Sequence, residues 1–328
     1  MSLPARLISL AVLALTASSA SAATPPSFAQ NYGVDNYDGS GKLYDDPYYG
    51  SGFDYPVAMA KMADGGFVVA GQIDSPEMYR TVTGHTSARS TGALVRFAGD
   101  GSILWQVAIR ETNDRYDSFG NFYPGVTTLS QVATDAQGNI FVTGGKGNTN
   151  NGGQAPFVAK FSPAGQMLWQ KGILKGSALA GAPAQQYDLA VLSGNGTISA
   201  TTDGGLVFAG QQSLPGQNRY VPLLVKFNGD GSIGFYKAFE PGPAYGTVSA
   251  CQSHDGTRYV MAFNYPNNFN HMLLVTDANG DLISQRGYAP GGYTGESAVA
   301  IIGTADGGFA SLTQNGNVPN TGVLRKFT

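Results

Sequence analysis

The chain is poor in the residues that usually announce chemistry. Cys251 is the one cysteine in 328 residues, so no disulfide can form within the chain. An oxidising compartment is compatible with such a sequence but does nothing to staple it. Charge is scarce too: charged side chains make up 12% of residues and the net charge is −3. So weak a field favours neither nucleic acid nor an anionic membrane surface as partner. The three histidines, His85, His254 and His271, lie far apart and lack the spacing of metal ligands. No G-x-S-x-G element is present, and the Gly144-Gly-Lys-Gly147 run is not followed by a helical pattern. Serine-hydrolase and phosphate-loop readings therefore lack support. Beyond the N-terminus no apolar run approaches the roughly 20 residues of a membrane span.

What is present begins with a leader. Arg6 precedes an uncharged, largely apolar run from Leu7 to about Ala17, and small residues follow up to Ala20-Ser-Ala22. A basic start, a short apolar core and an A-x-A site predict a cleaved signal peptide over residues 1–22. The expected mature chain starts near Ala23 and is exported to the periplasm or beyond the cell. No cysteine sits at the cleavage site, which argues against a lipid anchor.

Glycine is abundant at 46 residues, beside 17 tyrosines and 17 phenylalanines, a composition suited to short strands and tight turns. One element recurs along the chain: Ala63-Asp-Gly-Gly-Phe-Val-Val-Ala-Gly71, Ala136-Gln-Gly-Asn-Ile-Phe-Val-Thr-Gly144 and Thr202-Asp-Gly-Gly-Leu-Val-Phe-Ala-Gly210. Weaker copies begin at His254 and Ala305. In each, glycine supplies the positive φ of a hairpin turn and an apolar strand follows. A second element comes after the first four copies, as in Ala93-Leu-Val-Arg-Phe97 running through Gly101 to Trp105-Gln106, and Phe157-Val-Ala-Lys-Phe161 running through Gly165 to Trp169-Gln170. The third copy runs from Leu223 to Tyr236, and a degenerate fourth from Leu273 to Gln285. Together they predict a four-stranded meander, A to D, in each repeat.

These units resemble the tandem DGGxxVxG…LVKxxxxGxxxWxK repeats of bacterial secreted β-propeller proteins, over nearly all of residues 27–328. Trp105 and Trp169 also resemble the strand ends of pyrroloquinoline-quinone propellers, a likeness of structure only. The resemblance implies a fold but, in so functionally mixed a family, no activity. The expectation is an all-β, single-domain β-propeller over residues 23–328, with five four-stranded blades. The fifth repeat shows no D strand, and Ser27-Phe-Ala-Gln-Asn-Tyr-Gly33 is expected to supply it, closing the ring and removing two exposed edges.

In such a meander the A–B and C–D turns share one face and the B–C and D–A connections the other. The second set is long: residues 72–92, 111–126, 145–156, 174–186, 211–221, 264–271 and 287–296, joined by 32–53. Long connections are commonly functional. Only Tyr236 and Tyr259 fall within expected strands, and the other tyrosines cluster at the long-loop face. Tyr48, Tyr49, Tyr79, Tyr116, Tyr123, Tyr220, Tyr265 and Tyr293 are the candidate ligand contacts, because amphipathic rings beside Asn, Asp and Gly suit recognition of a glycan or a protein. Mutual packing of the rings to hold the loops is the plainer reading.

Carboxylates on the same side include Asp54, Glu111, Asp114, Asp117, Asp188 and Glu296. Glycoside cleavage needs a pair, such as Asp54 with Glu296 or Asp188. Asp35, Asp38, Asp45 and Asp46 crowd one segment and could supply oxygens to calcium, but their spacing does not fit a calcium loop. No cofactor is expected. Arg96, Lys160, Lys226 and Lys326 recur at one position of strand C, which suggests a structural role on the blade surface. The leading reading is a non-enzymatic, exported binding or scaffold protein that takes a glycan or protein partner on the long-loop face. The alternative is a glycoside hydrolase or lyase there, and a second alternative a structural cell-surface module.

Overall fold

The structure, a computed structural model, describes residues 55–80, 86–109, 115–116, 122–123, 125–148, 155–172, 196–213, 220–239, 249–264, 271–288, 296–315 and 322–327. The expected leader and the closing segment 27–33 lie outside these residues.

The described chain is all-β and antiparallel. Sheet I comprises β1 (Tyr55–Lys61), β2 (Phe67–Arg80), β3 (Thr86–Phe97) and β4 (Ile103–Ile109) in sequence order. A two-stranded hairpin of β5 (Arg115–Tyr116) and β6 (Phe122–Tyr123) follows. Sheet II is β7 (Gly125–Thr134), β8 (Ile140–Asn148), β9 (Ala155–Phe161) and β10 (Met167–Gly172). Sheet III is β11 (Thr197–Ala200), β12 (Leu206–Ser213), β13 (Tyr220–Phe227) and β14 (Ile233–Ala238). Sheet IV is β15 (Ser249–Gln252), β16 (Arg258–Asn264), β17 (His271–Asp277) and β18 (Leu282–Tyr288). Sheet V has three strands among the described residues: β19 (Glu296–Gly303), β20 (Phe309–Asn315) and β21 (Gly322–Phe327). The expected meanders are therefore present, four of them four-stranded. Two of the expected long connections are partly strand: β2 and β3 pair out to Arg80 and Thr86, and β5–β6 lies within 111–126.

Successive sheets stack through their first strands, β1 on β7, β7 on β11, β11 on β15 and β15 on β19. Each inner sheet is covered on both faces, which explains why its strands read as continuous apolar runs. Phe141 and Val158 of sheet II pack on Leu206, Phe208 and Leu223 of sheet III. Their neighbours in sequence, Val142, Phe157 and Ala159, pack instead on Val68 and Leu94 of sheet I. Sheets III and IV meet through Val207, Leu224, Tyr259 and Met261, and sheets IV and V through Cys251, Val260, Ile301 and Phe309. At roughly 25 cal/mol per Å² of apolar surface removed from water, these junctions dominate the stability.

The repeated Asp-Gly-Gly turn has a different task for each residue. Asp64 Oδ1 accepts the Gly66 N–H at 3.1 Å, and Gly65 takes φ +87°. A Cβ on Gly66 would lie 2.3 Å from both Arg96 Nη1 and the Phe97 carbonyl oxygen. Gly205 and Gly308 are as tightly enclosed, by Lys226 and Phe227 and by Phe327. The second glycine makes room for the basic residue of strand C, which turns back onto the aspartate: Arg96 to Asp64 at 2.5 Å, Lys226 to Asp203 at 2.9 Å, and Lys326 to Asp306. The structural role expected for the basic series holds, and Lys326 is exposed as expected, but the surface placement is corrected for the other three. Arg96, Lys160 and Lys226 are buried, their charges held by carboxylates or backbone carbonyls at the turn end. For Lys160 residue type cannot reveal this, because its acceptors are the main-chain oxygens of Gly204 and Gly229.

A second device locks neighbouring sheets. The aromatic residue of strand D lies on the positive-φ glycine in the C–D turn of the next sheet: Trp105 on Gly165, Trp169 on Gly231 and Phe235 on Gly280. Both indoles also donate a hydrogen bond across the junction, Trp105 to the Pro163 carbonyl and Trp169 to the Gly229 carbonyl, each at 3.0 Å. In sheet IV the aromatic is replaced by Ser284, and a cleft of about 330 Å³ opens there beside Phe309, Lys326 and Phe327.

Candidate functional site: the strand ends opposite the short turns

The two ends of the sheets differ in chemistry. At the turn end, Val, Leu and Phe fill the space between sheets. Toward the other end the buried residues become polar: Gln72 and Thr91 in sheet I, Thr127 and Thr143 in sheet II, Gln211 and Gln212 in sheet III, and His271 in sheet IV. Some are satisfied within the sheets. The Thr143 hydroxyl donates to the Phe157 carbonyl at 2.9 Å, and the Tyr236 hydroxyl donates to Gln212 Oε1 at 2.8 Å. Lys146 donates to Gln170 Oε1 at 2.8 Å and stands 5.0 Å over the Phe157 ring. Thr91 Oγ1, Thr127 Oγ1 and Gln212 Nε2 are buried with no hydrogen-bond partner. An unmade hydrogen bond costs about 1–3 kcal/mol per buried group. A layer with several such groups is built to meet water or a ligand at that end.

The residues singled out from the sequence divide into two groups. Tyr48, Tyr49, Tyr265, Tyr293, Asp54, Asp188 and the Asp35, Asp38, Asp45 and Asp46 cluster lie outside the described residues. For Tyr79, Tyr116, Tyr123, Tyr220 and Glu296 the backbone is placed. Tyr79 pairs with Ser87 near the tip of the β2–β3 hairpin. Tyr116 and Tyr123 are in the β5–β6 hairpin, Tyr220 opens β13 and Glu296 opens β19. Tyr55, Tyr79, Tyr116, Tyr123, Tyr220 and Tyr288 all lie in strands, which corrects the expectation that Tyr236 and Tyr259 alone do so.

Strand register brings out a relation the repeats had concealed. In β19, Ser297 pairs with Gln314 and Ala298 with Thr313, and a bulge follows before Ala300. In β1, Tyr55 pairs with Gln72 and Pro56 with Gly71, and a bulge follows before Ala58. Gln72 and Gln314 are the same repeat position, so Glu296 in sheet V corresponds to Asp54, the residue before β1. The correspondence is one of repeat position, since Asp54 itself lies outside the described residues. In sheet II, Thr127 occupies this position, paired with Lys146 two residues before its own bulge. Gln72, Gln211 and Gln314 were missed in the sequence reading. Their signal is visible in hindsight as a glutamine following the apolar strand of the first, third and fifth copies.

The second described cavity, also about 330 Å³, lies at the turn end between sheets III, IV and V, lined by Thr202, Gln252, Ser253 and His254 among others. Its main polar group is already engaged: Gln252 accepts the Thr202 N–H at 2.8 Å and donates to the Gly256 carbonyl at 3.2 Å. Among the described residues no cluster of three or more His, Cys, Asp or Glu side chains could hold a metal ion, and no helix is long and apolar enough to cross a membrane. Burial pushes the Cys251 thiol up to about 12 and the Tyr259 hydroxyl likewise to about 12, so neither is a nucleophile at neutral pH.

No family model matches the chain, and no curated protein resembles it in sequence. Solved structures resemble it loosely. Polysaccharide lyase Uly1 aligns with 83% of this chain and 56% of its own, at 13% identity and a TM-score of 0.44. Rhamnogalacturonan lyase YesW aligns with 78% of this chain and 57% of its own, at 14% identity and a TM-score of 0.38. The β-propeller domain of the Trilobed protease from Pyrococcus furiosus aligns with 84% of this chain and 83% of its own, at 11% identity and a TM-score of 0.38. Likenesses this distant assign no activity. The chain spans just over half the length of the two lyases.

Proposed function

We propose that the chain is an exported β-propeller of five blades, closed by its own N-terminal strand, that binds a glycan at its long-loop face and cleaves it. Sheets I to V are the blades, and the first strand of each lines the central axis. The observation that carries the enzymatic reading is the equivalence of Asp54 and Glu296. In a closed five-bladed ring, sheets I and V are neighbours, and two carboxylates at the same inner position of adjacent blades face one mouth. Glycosidic cleavage uses such a pair, one group protonating the leaving oxygen and the other acting as nucleophile or base, with carboxyl groups about 5–9.5 Å apart. The buried polar layer of Thr91, Thr127 and Gln212 supplies the floor for a hydroxyl-rich ligand. Tyr48, Tyr49, Tyr123 and Tyr220 supply the rings that stack on sugar faces.

The test is an oligosaccharide panel assayed for new reducing ends and for unsaturated, ultraviolet-absorbing products, run with the wild type, Asp54→Asn and Glu296→Gln. Turnover should fall by at least a thousandfold in either variant while saccharide binding is retained. Binding by all three proteins with no turnover in any would return the molecule to a non-catalytic lectin-like role. Absence of saccharide binding would sink the glycan reading and leave a protein partner.

A further inference from the structure

The cleft between sheets IV and V lies where an indole is lodged two junctions earlier. At junction II–III the Trp169 ring sits between Phe141 of its own sheet and Phe227 of the next, with 6.3 Å between ring centres on either side. Lys160, paired with Trp169, sends its ammonium across to the Gly204 and Gly229 carbonyls. Register fixes the counterparts at junction IV–V. Ser284 pairs with Val275 as Trp169 does with Lys160, and Val260 pairs with Val275 as Phe141 does with Lys160. Phe327 pairs with Phe309 as Phe227 does with Leu206.

Ser284, Val260, Val275 and Phe327 all line the cleft. The wall ring is kept as Phe327, while the positions of an indole, a phenyl and a lysine carry serine and two valines. Side-chain loss at three aligned positions opens the space inside an otherwise equivalent frame. The junction is held by a different bond: Arg258 donates to the Gly307 carbonyl, the counterpart of the Gly204 carbonyl that Lys160 uses. The floor residues Val260 and Leu273 are buried, and Ser284 at the mouth is exposed. A volume of about 330 Å³ is at the small end for a small-molecule pocket, the size for a ligand of one or two rings. Arg286 and Lys326 also line the cleft, and no side chain listed along its wall is acidic. Lys326 holds Asp306, but an ammonium carries three donors and a guanidinium five, more than a single carboxylate takes up.

We propose that this cleft binds a small aromatic carboxylic acid. Its ring takes the slot that Trp169 fills at junction II–III, stacked on Phe327 over the apolar floor, as aromatic pairs favour. Its carboxylate meets Arg286 and Lys326 at the mouth, where charge-assisted hydrogen bonds add affinity and fix the orientation. The site is at the turn end, whereas Glu296 opens β19 at the opposite end of sheet V. It therefore does not rest on the carbohydrate reading, and its failure would leave that reading untouched.

The test titrates the purified protein with indoleacetate and phenylacetate, and with skatole as the neutral ring that lacks the carboxylate. The acids should bind at one site, and skatole about tenfold more weakly or worse, the value of a hydrogen bond to a charged group. Ser284→Trp places the chain's own indole in the slot, so it should abolish binding and raise the melting temperature. Val260→Phe blocks the same slot from the floor and keeps the test open if Ser284→Trp folds poorly. Arg286→Gln should weaken the acids about tenfold and leave skatole unchanged. Equal affinity for the acids and skatole would overturn the anionic half of the proposal. Undiminished binding in the blocked variants would overturn its location, and no binding of either acid would overturn the site.

Discussion

Replacing Gly231 by alanine separates two demands that fall on the same residue. Its φ is +80°, and an added Cβ would lie 2.9 Å from Trp169 Cδ2, 3.0 Å from Trp169 Cγ and 3.1 Å from Lys171 Cε. Gly204 has nearly the same backbone, φ +75°, with nothing within 4 Å of its notional Cβ. Left-handed backbone alone costs an alanine about 1–2 kcal/mol, and that is the expected loss for Gly204→Ala. Gly231→Ala must in addition displace an indole that stacks 6.3 Å from the Phe227 ring and donates to the Gly229 carbonyl at 3.0 Å. Overpacking of this kind costs about 1–3 kcal/mol more. Equilibrium denaturation with urea should therefore show Gly231→Ala losing about 2–5 kcal/mol at an unchanged m-value. In a Trp169→Ala background its increment should drop to that of Gly204→Ala, a coupling of about 1–3 kcal/mol between residues in contact. Equal costs for the two glycines, or a Gly231→Ala increment that survives removal of the indole, would refute the claim that the strand-D aromatic interlocks neighbouring sheets.

Two further outcomes follow from protonation. The turn aspartates are held below their ordinary range, Asp255 down to about 2 by the Ser253 hydroxyl and by the N–H and hydroxyl of Thr257, and Asp306 by Lys326 and Thr304. A carboxyl whose folded value is depressed contributes stability that is present above its unfolded value and is lost as pH falls through the folded one. The melting temperature should thus be nearly flat from pH 7 to 5 and fall steeply between about pH 4 and 2. Asp255→Asn should flatten that fall, and a decline beginning above pH 5 would assign acid sensitivity to other groups. Cys251 is 5% exposed and its thiol is raised to about 12 by burial. Alkylation at pH 8 should be negligible in the native protein and complete in denaturant, and rapid native labelling would show that sheet IV opens locally.

The features legible in the sequence are those that repeat and are local. Each Asp-Gly-Gly copy marks a real turn, because positive φ is a property of one residue, and the apolar run after it is a real strand. The purpose of the second glycine was hidden, since it is set by Arg96, thirty residues on, reaching back to Asp64. The basic series was placed on the surface for the same reason: Lys160 is buried because the Gly204 and Gly229 carbonyls of the next sheet accept from it at 2.7 and 3.2 Å, and main-chain acceptors leave no trace in a sequence. The candidate site was legible mainly as a face. Tyr220 and Glu296 open strands where the long connections enter, whereas Tyr48, Tyr49, Tyr265, Tyr293, Asp54 and Asp188 lie outside the described residues. The correspondence of Asp54 with Glu296 needed register, because a bulge in each strand shifts the count that a reader of the repeats would make.

Degeneracy along the repeats also concentrates weakness where the proposed chemistry lies. Junctions I–II and II–III each combine an apolar core, an aromatic on a glycine and an indole hydrogen bond. Junction III–IV keeps the aromatic, Phe235, and adds the Lys237–Asp281 pair at 2.8 Å, an exposed pair of small value. At junction IV–V the aromatic is gone. Among the described contacts beside the core, Arg258 stacks 5.7 Å over Phe309 and donates to the Gly307 carbonyl at 2.8 Å, and the Ile301 N–H donates to Ser249 Oγ at 3.2 Å. Stability in a repeat array is close to a sum of nearest-neighbour terms, so the sheet with the poorest interface opens first. That sheet is V, and its first residue is Glu296. Enzymes and binding proteins commonly draw their moving parts from the least stable elements. A site that includes Glu296 therefore sits on the sheet least supported from the sheet IV side, where local opening reaches it first.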